Sequence, residues 1–194
     1  MRDGKCQYGL EWPHAAPAVP TRTSCGDNPD IKARCKFGVI DKSGDFVVRP
    51  KYDFIGDYSE GLAAFKVHEG WGFLDRAGRT AIEPGFDEAL GFSEGAAAVR
   101  VRKKWGYISR SGDWLVKPRY EAAGQFSGDR APVLLKSAWG FIDKSGALVI
   151  PCQFPEATPF AKGLAHVRVG RDEYAWIRPD GEIVFRYIDK RRVQ

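Results

Sequence analysis

Apolar and polar positions alternate in short bursts along most of this chain. Ala63, Phe65 and Val67 share one phase, and Ala64, Lys66 and His68 take the other. A period of two predicts a strand with one buried face. Gly, Asp and Pro separate the bursts, and no segment sustains a helical period. The bursts themselves recur. Trp71-Gly72, Trp105-Gly106 and Trp139-Gly140 stand 34 residues apart, with Phe37-Gly38 one step earlier. An interval of this size predicts stacked structural units.

Other positions keep the same step. Gly44, Gly78, Gly112 and Gly146 form one set, and Tyr52, Phe86, Tyr120 and Phe154 another. Tyr58, Phe92, Phe126 and Phe160 follow, then Ala63, Ala97, Ala131 and Ala165. A partial fifth copy runs from Tyr174-Ala175 to Asp180-Gly181 with a step of 35. Each unit predicts three strands. The aromatic, β-branched run after Trp-Gly is the first. Asp41 to Gly44 suits a type I turn closed by a left-handed glycine. Phe46-Val47-Val48 returns, and Pro50, Pro84 and Pro118 are expected to end the return strands, since proline lacks the ladder donor. A loop of about ten residues follows, then the alternating third strand. Glu69-Gly70 and Lys103-Lys104 read as tight turns into the next unit.

These residues resemble the WG-repeat family, also called KWG repeats. Its pattern is Trp-Gly-Tyr-Ile-Asp, a Gly turn, Val-Ile-x-Pro-x-Tyr, then Phe-Ser-Glu-Gly-Leu-Ala. Ser59-Glu60-Gly61-Leu62-Ala63 and Phe92-Ser93-Glu94-Gly95 match it closely. The resemblance covers residues 31 to 184 and implies a β-rich binding module of bacterial type with no catalytic residue to carry over. Gly128-Asp129-Arg130 departs from the pattern, as does Cys152 at the proline position. The fold expected is all-β, with antiparallel hairpin or three-strand units in a compact curved or closed array, propeller-like or barrel-like. Residues 1–30 form an irregular segment packed on the repeats, 31–184 the repeat domain and 185–194 a basic tail.

Charge narrows the choice of partner. The net +5 lies at the ends: residues 1–36 hold six basic and four acidic side chains, and 185–194 hold four and one. Residues 37–184 balance 20 against 20. Nucleic-acid binding wants a basic stripe on the folded face, so no nucleic-acid partner is expected. Arg100 and Arg102, placed on the outward face of a strand, belong to the only internal basic cluster. They read as a solvated edge or as partner contacts. No apolar run is long enough for a membrane-spanning helix. Met1 to Lys5 is too polar for a secretion signal, so either the protein is intracellular or a signal was removed and Met1 supplied.

Cys6, Cys25, Cys35 and Cys152 make an even count, three of them in the irregular segment. That clustering suggests disulfides and an oxidising compartment, hence a periplasmic or extracellular location. The alternative is four reduced thiols in the cytoplasm. Cys6–Cys25 with Cys35–Cys152 is the preferred of three pairings. Ile31 and Ala33 fall on the inward phase of a third strand, so 31–36 is expected to pair with the first Phe37-Gly38. The last copy lacks a following third strand. A complementary start and finish would let the array close.

A search for catalytic chemistry finds little. His14, His68 and His166 occupy three different phases, and no nucleophile motif accompanies them. Asp41, Asp75 and Asp143 are explained as turn residues. No cofactor and no metal site is expected. Two positions break the repeat's polarity. Leu134 stands where Lys66, Arg100 and Arg168 stand elsewhere, and Trp114 aligns with Phe46, Thr80 and Leu148. Trp114, Leu134, Arg100 and Arg102 are therefore the candidate partner contacts. The function expected is a non-enzymatic protein-binding repeat module, in its concrete form an exported inhibitor that neutralises a secreted bacterial toxin. The alternative is a cell-wall or carbohydrate binder using exposed aromatics.

Overall fold

The structure is a computed structural model, and it describes residues 19–22, 36–68 and 70–189. It is all-β among these residues, with five antiparallel sheets in chain order. The first has three strands, β1 (Val19–Arg22), β2 (Phe37–Ile40) and β3 (Phe46–Tyr52). Each later sheet has four. The second holds β4 (Phe54–Ile55), β5 (Leu62–Val67), β6 (Gly70–Asp75) and β7 (Thr80–Phe86). The third holds β8 (Glu88–Ala89), β9 (Ala96–Val101), β10 (Lys104–Ser109) and β11 (Trp114–Tyr120). The fourth holds β12 (Ala122–Ala123), β13 (Ala131–Leu135), β14 (Ala138–Ile142) and β15 (Leu148–Phe154). The fifth holds β16 (Glu156–Ala157), β17 (Ala165–Arg168), β18 (Glu173–Ile177) and β19 (Ile183–Ile188), so residues 185–188 of the expected tail are strand. Sheets of four meandering strands are the construction of propeller blades.

The fourth strand corrects the three-strand expectation. The short strands β4, β8, β12 and β16 arise within the stretch expected to be loop, where only two residues per unit pair with the neighbouring strand. Two residues give no alternation to read. Each sheet thus starts before its Trp-Gly strand, so the sheet and the sequence repeat are out of phase. The neighbour of β2 is β1, with Val19 opposite Ile40 and Arg22 opposite Phe37. This strand comes from further upstream than the expected 31–36, and residues 31–35 lie outside the described residues.

Proline does not end the return strands. Pro50, Pro84 and Pro118 lie inside β3, β7 and β11, which are edge strands, where a missing donor costs no ladder bond. The register slips there: Trp105 faces Tyr120, but Tyr107 faces Val116. Glycine is the residue that fits beneath this bulge. A Cβ at Gly106 or Gly140 would come within 2.5 or 2.6 Å of the carbonyl oxygen of Val116 or Ile150. The fifth sheet lacks the two-residue slip, pairing Tyr174 with Tyr187 and Trp176 with Phe185, and it carries Ala175 at the glycine position.

The chain divides into two compact units, Met1–Gly85 and Phe86–Gln194. In the first, Val39, Val48 and Tyr52 pack with Ile55, Ala63, Phe65 and Leu74, joining two sheets face to face. In the second, Ala98, Tyr107 and Val116 of one sheet meet Ala131, Val133 and Ile142 of the next. Phe141 and Ile150 on the opposite face of that sheet then meet Ala165, Val167, Ala175 and Ile177. Ala98 is buried in the core shared with the fourth sheet, and Ala64 is buried rather than solvated.

Polar groups reinforce the stacking. Ser93 Oγ donates to the Phe126 carbonyl at 2.7 Å, and Ser127 Oγ to that of Phe160 at 2.6 Å. Each serine therefore latches one repeat to the next within the second compact unit. The hairpin aspartates act as expected. Asp143 Oδ1 accepts from the Ser145 and Ala147 amides at 2.9 and 3.1 Å, and Asp75 Oδ1 from Ala77 and Arg79 at 2.9 Å each.

Candidate functional site

Among the described residues the fifth sheet is the last in chain order, and its outer face differs from the equivalent face of the other sheets. Along β17, Ala165 and Val167 point into the core, so His166 and Arg168 point outward. Cross-strand pairing puts Trp176 beside His166, Tyr174 beside Arg168, and Phe185 and Tyr187 beside Trp176 and Tyr174. Four aromatic rings and one imidazole thus share one face.

The repeat shows what these phases do elsewhere. Val48, Ile82, Val116 and Ile150 are buried, at 2 to 9% exposure, whereas Phe185 in the same phase is 59% exposed. Tyr107 and Phe141 are fully buried against Phe126 and Phe160 of the following unit. Trp176 in their phase is 37% exposed. Ala64, Ala98 and Pro132 are replaced by His166. The face is bulkier than its equivalents and still displays apolar surface.

Its rings organise one another. His166 stacks on Tyr174 at 5.2 Å and 11°, and on Tyr187 at 5.9 Å and 15°. A His166 ring nitrogen and Tyr187 Oη lie 2.9 Å apart. Trp176 tilts against His166 at 4.9 Å, and Phe185 stacks on Tyr187 at 6.2 Å. Arg168 is held by Glu156 at 3.3 Å. A column of stacked rings has few rotamers to lose on binding, which lowers the cost of association.

The residues singled out from sequence do not converge here. Trp114 opens β11, is 41% exposed and meets Phe86 edge-on at 6.2 Å. Leu134 lies half-buried in β13, opposite Ala122 and Trp139. Arg100 lies over Trp105 at 5.9 Å and pairs with Glu88 at 2.6 Å. Arg102 is not on a strand face: it forms a turn with Lys103, both with left-handed φ, 49° and 65°. Two such residues make the primed turn that matches strand twist, and this turn begins one residue before the expected Lys103-Lys104.

Arg100 with Glu88 and Leu134 with Ala122 are the same pair one repeat apart. An ion pair in one sheet is an apolar pair in the next, and that exchange accounts for Leu134 within its own sheet. Cys152 is half-buried, and burial raises its thiol above the usual range. Cys6, Cys25 and Cys35 lie outside the described residues, as does any pairing among them. The signal for the aromatic face lies in the repeat phases that change in the fifth sheet, since Trp176, Phe185, Tyr187 and His166 all enlarge or polarise their phase.

Among the described residues, no group of three or more His, Cys, Asp or Glu is placed to hold a metal, and no helix is long and apolar enough to cross a membrane.

Comparison with known proteins bears on fold and family. No curated protein sequence matches the chain. Among solved structures it is similar to Kluyveromyces lactis Hsv2, at TM-score 0.54 and 9% identity, covering 79% of this chain and 57% of that one. It is also similar to a eukaryotic initiation factor, at TM-score 0.52 and 12% identity, covering 78% and 50%. BamB from Moraxella catarrhalis matches at TM-score 0.48 and 10% identity, covering 91% and 62%. The chain therefore spans 50 to 62% of the length of these proteins. At such identities the likeness is one of fold alone. The family model described as a WG containing repeat matches four times, over residues 37–70, 71–105, 105–137 and 139–171. Those four matches cover most of the sequence, and the chain belongs to the family of WG-containing repeat proteins.

Proposed function

We propose that this chain is a non-enzymatic protein-binding module whose main contact surface is the outer aromatic face of the fifth sheet. The observation that carries the reading is the exposure of Phe185 and Trp176 at phases that are buried in the other sheets. Trp and Tyr dominate binding hot spots, and exposed apolar clusters of this kind mark interaction sites. Trp114, Leu134, Arg100 and Arg102 are kept as secondary contacts, with Trp114 the most exposed of the apolar pair.

In its concrete form the module is an exported inhibitor that neutralises a secreted bacterial toxin in the periplasm or outside the cell. The small repeat scaffold and the four cysteines support that version. Mass spectrometry with and without reductant tests the compartment, since disulfides belong to an oxidising one. The reading includes a curved or closed array of units, which the four-stranded meandering sheets support because propeller blades are built that way. Small-angle scattering tests that part.

The test of the module itself is capture of partners from the native organism by the wild-type chain and by Phe185→Asp. Partners lost in the variant support the reading, and identical capture by both counts against it. A carbohydrate-binding role is the second reading, favoured by the exposed indole of Trp176. Glycan-array binding that disappears in Trp176→Ala would establish it.

A further inference from the structure

Two turns in the second compact unit share a geometry and differ in what fills them. Gly128 and Asp129 both take left-handed φ, 63° and 59°. Their successive amides converge on Glu94, whose two carboxylate oxygens accept from Gly128 N at 2.7 Å and from Asp129 N at 2.9 Å. Consecutive backbone N–H groups in turn conformations form anion-binding concavities, and this one holds a carboxylate donated by the preceding repeat.

The equivalent turn one repeat later is Lys162-Gly163, with φ 51° and 80°. It is framed by the same isolated bridge, Ala161 to Leu164 in place of Ser127 to Arg130. The residue in the phase of Glu94 is now Gly128, which has no side chain to offer. Lys162 and Gly163 are exposed, and a Cβ on Gly163 would meet nothing within 4 Å. Among the described residues, no acceptor bonds either amide. The charge is inverted as well: the phase that holds Glu60 and Glu94 holds Lys162.

We propose that the Lys162-Gly163 turn binds the carboxylate of an acidic side chain on a partner protein, in the arrangement that Glu94 shows internally. The Lys162 and Gly163 amides each donate to one oxygen, and the Lys162 ammonium adds charge attraction. The turn leads directly into β17, so it stands three residues, about 10 Å of strand, from His166 of the aromatic face. That the carboxylate belongs to a protein rests on the function proposed above. Binding of a carboxylate by this turn does not.

The test is a titration of the ¹⁵N-labelled chain with N-acetyl-glutamate amide, and with N-acetyl-glutamine amide as the uncharged control. The expected result is a saturable downfield shift of the Lys162 and Gly163 amides with glutamate only. In Gly128→Glu, a tethered carboxylate should produce that shift without ligand and abolish the titration. Glu60 and Glu94 occupy this phase at φ 52° and 53°, so the backbone accepts the substitution. Gly128→Gln, of equal bulk, should leave the titration visible. Equal responses to both ligands, or no response in wild type, overturn the proposal. A failed partner assay with an intact glutamate titration would refute the functional reading and leave the carboxylate site standing.

Discussion

Gly106 lies so close to the edge strand that a Cβ on it would stand 2.5 Å from the Val116 carbonyl oxygen and 2.8 Å from the Pro118 nitrogen. The contacting atoms are backbone, so they cannot rotate away. Gly106→Ala is expected to lower the urea midpoint by the equivalent of about 1–3 kcal/mol, the usual cost of overpacking. Ala175→Gly is the informative contrast. Its sheet has no such bulge, so only the strand glycine penalty of about 0.5–1 kcal/mol applies.

Ser127 ties the fourth sheet's turn to the Phe160 carbonyl at 2.6 Å. Ser127→Ala removes one half-buried hydrogen bond and leaves an acceptor unsatisfied. The expected loss is about 1 kcal/mol. Hydrogen exchange should show faster opening of the fifth sheet than of the third, because the bond joins the fourth and fifth sheets.

The hairpin aspartates make stability depend on acid. The Ser145 hydroxyl and the turn amides hold the Asp143 carboxyl below its ordinary value, and the Arg79 amide and guanidinium do the same for Asp75. A lowered folded pKa means that the unfolded chain binds more protons as pH falls. The stabilisation is present above the unfolded value of about 4 and is lost as pH drops through the folded value. Denaturation midpoints measured from pH 6 to pH 2 (about four units) should fall less steeply in Asp143→Ala than in wild type.

Arg100 and Glu88 occupy the register that Leu134 and Ala122 occupy one repeat later. Installing Leu at 100 together with Ala at 88 should therefore leave stability within about 0.5 kcal/mol of wild type. Arg100→Leu alone should cost up to about 1 kcal/mol through loss of the half-exposed ion pair. Thermal melts of the two single variants and the double variant give the coupling.

Much of this architecture was legible because four copies state the same pattern. The Trp-Gly strand, the Asp turn and the alternating strand each appear with a physical reason. Three features were not legible. A two-residue strand such as Glu88–Ala89 carries no periodicity of its own. Pro118 reads as a strand end unless the edge position of β11 is known. The partner of β2 lies across residues 23–36 from it, and short-range pattern says nothing about such a separation. The candidate site follows the same logic. Leu134 drew notice as an exception, although Ala122 opposite it removes the exception. Trp176 and Phe185 differ in sequence from their repeat phases, but only their exposure, against buried equivalents in the other sheets, marks them as surface.

Binding of a partner protein by the outer face of the fifth sheet is proposed above, and one experiment tests it most directly. That experiment is affinity capture from the native organism with wild type, Phe185→Asp and Leu148→Asp, each confirmed as folded by circular dichroism. Leu148 is exposed like Phe185 but lies on another sheet. Partners retained by wild type and Leu148→Asp and lost from Phe185→Asp are the predicted result. Equal retention by all three, or loss from Leu148→Asp alone, would contradict it.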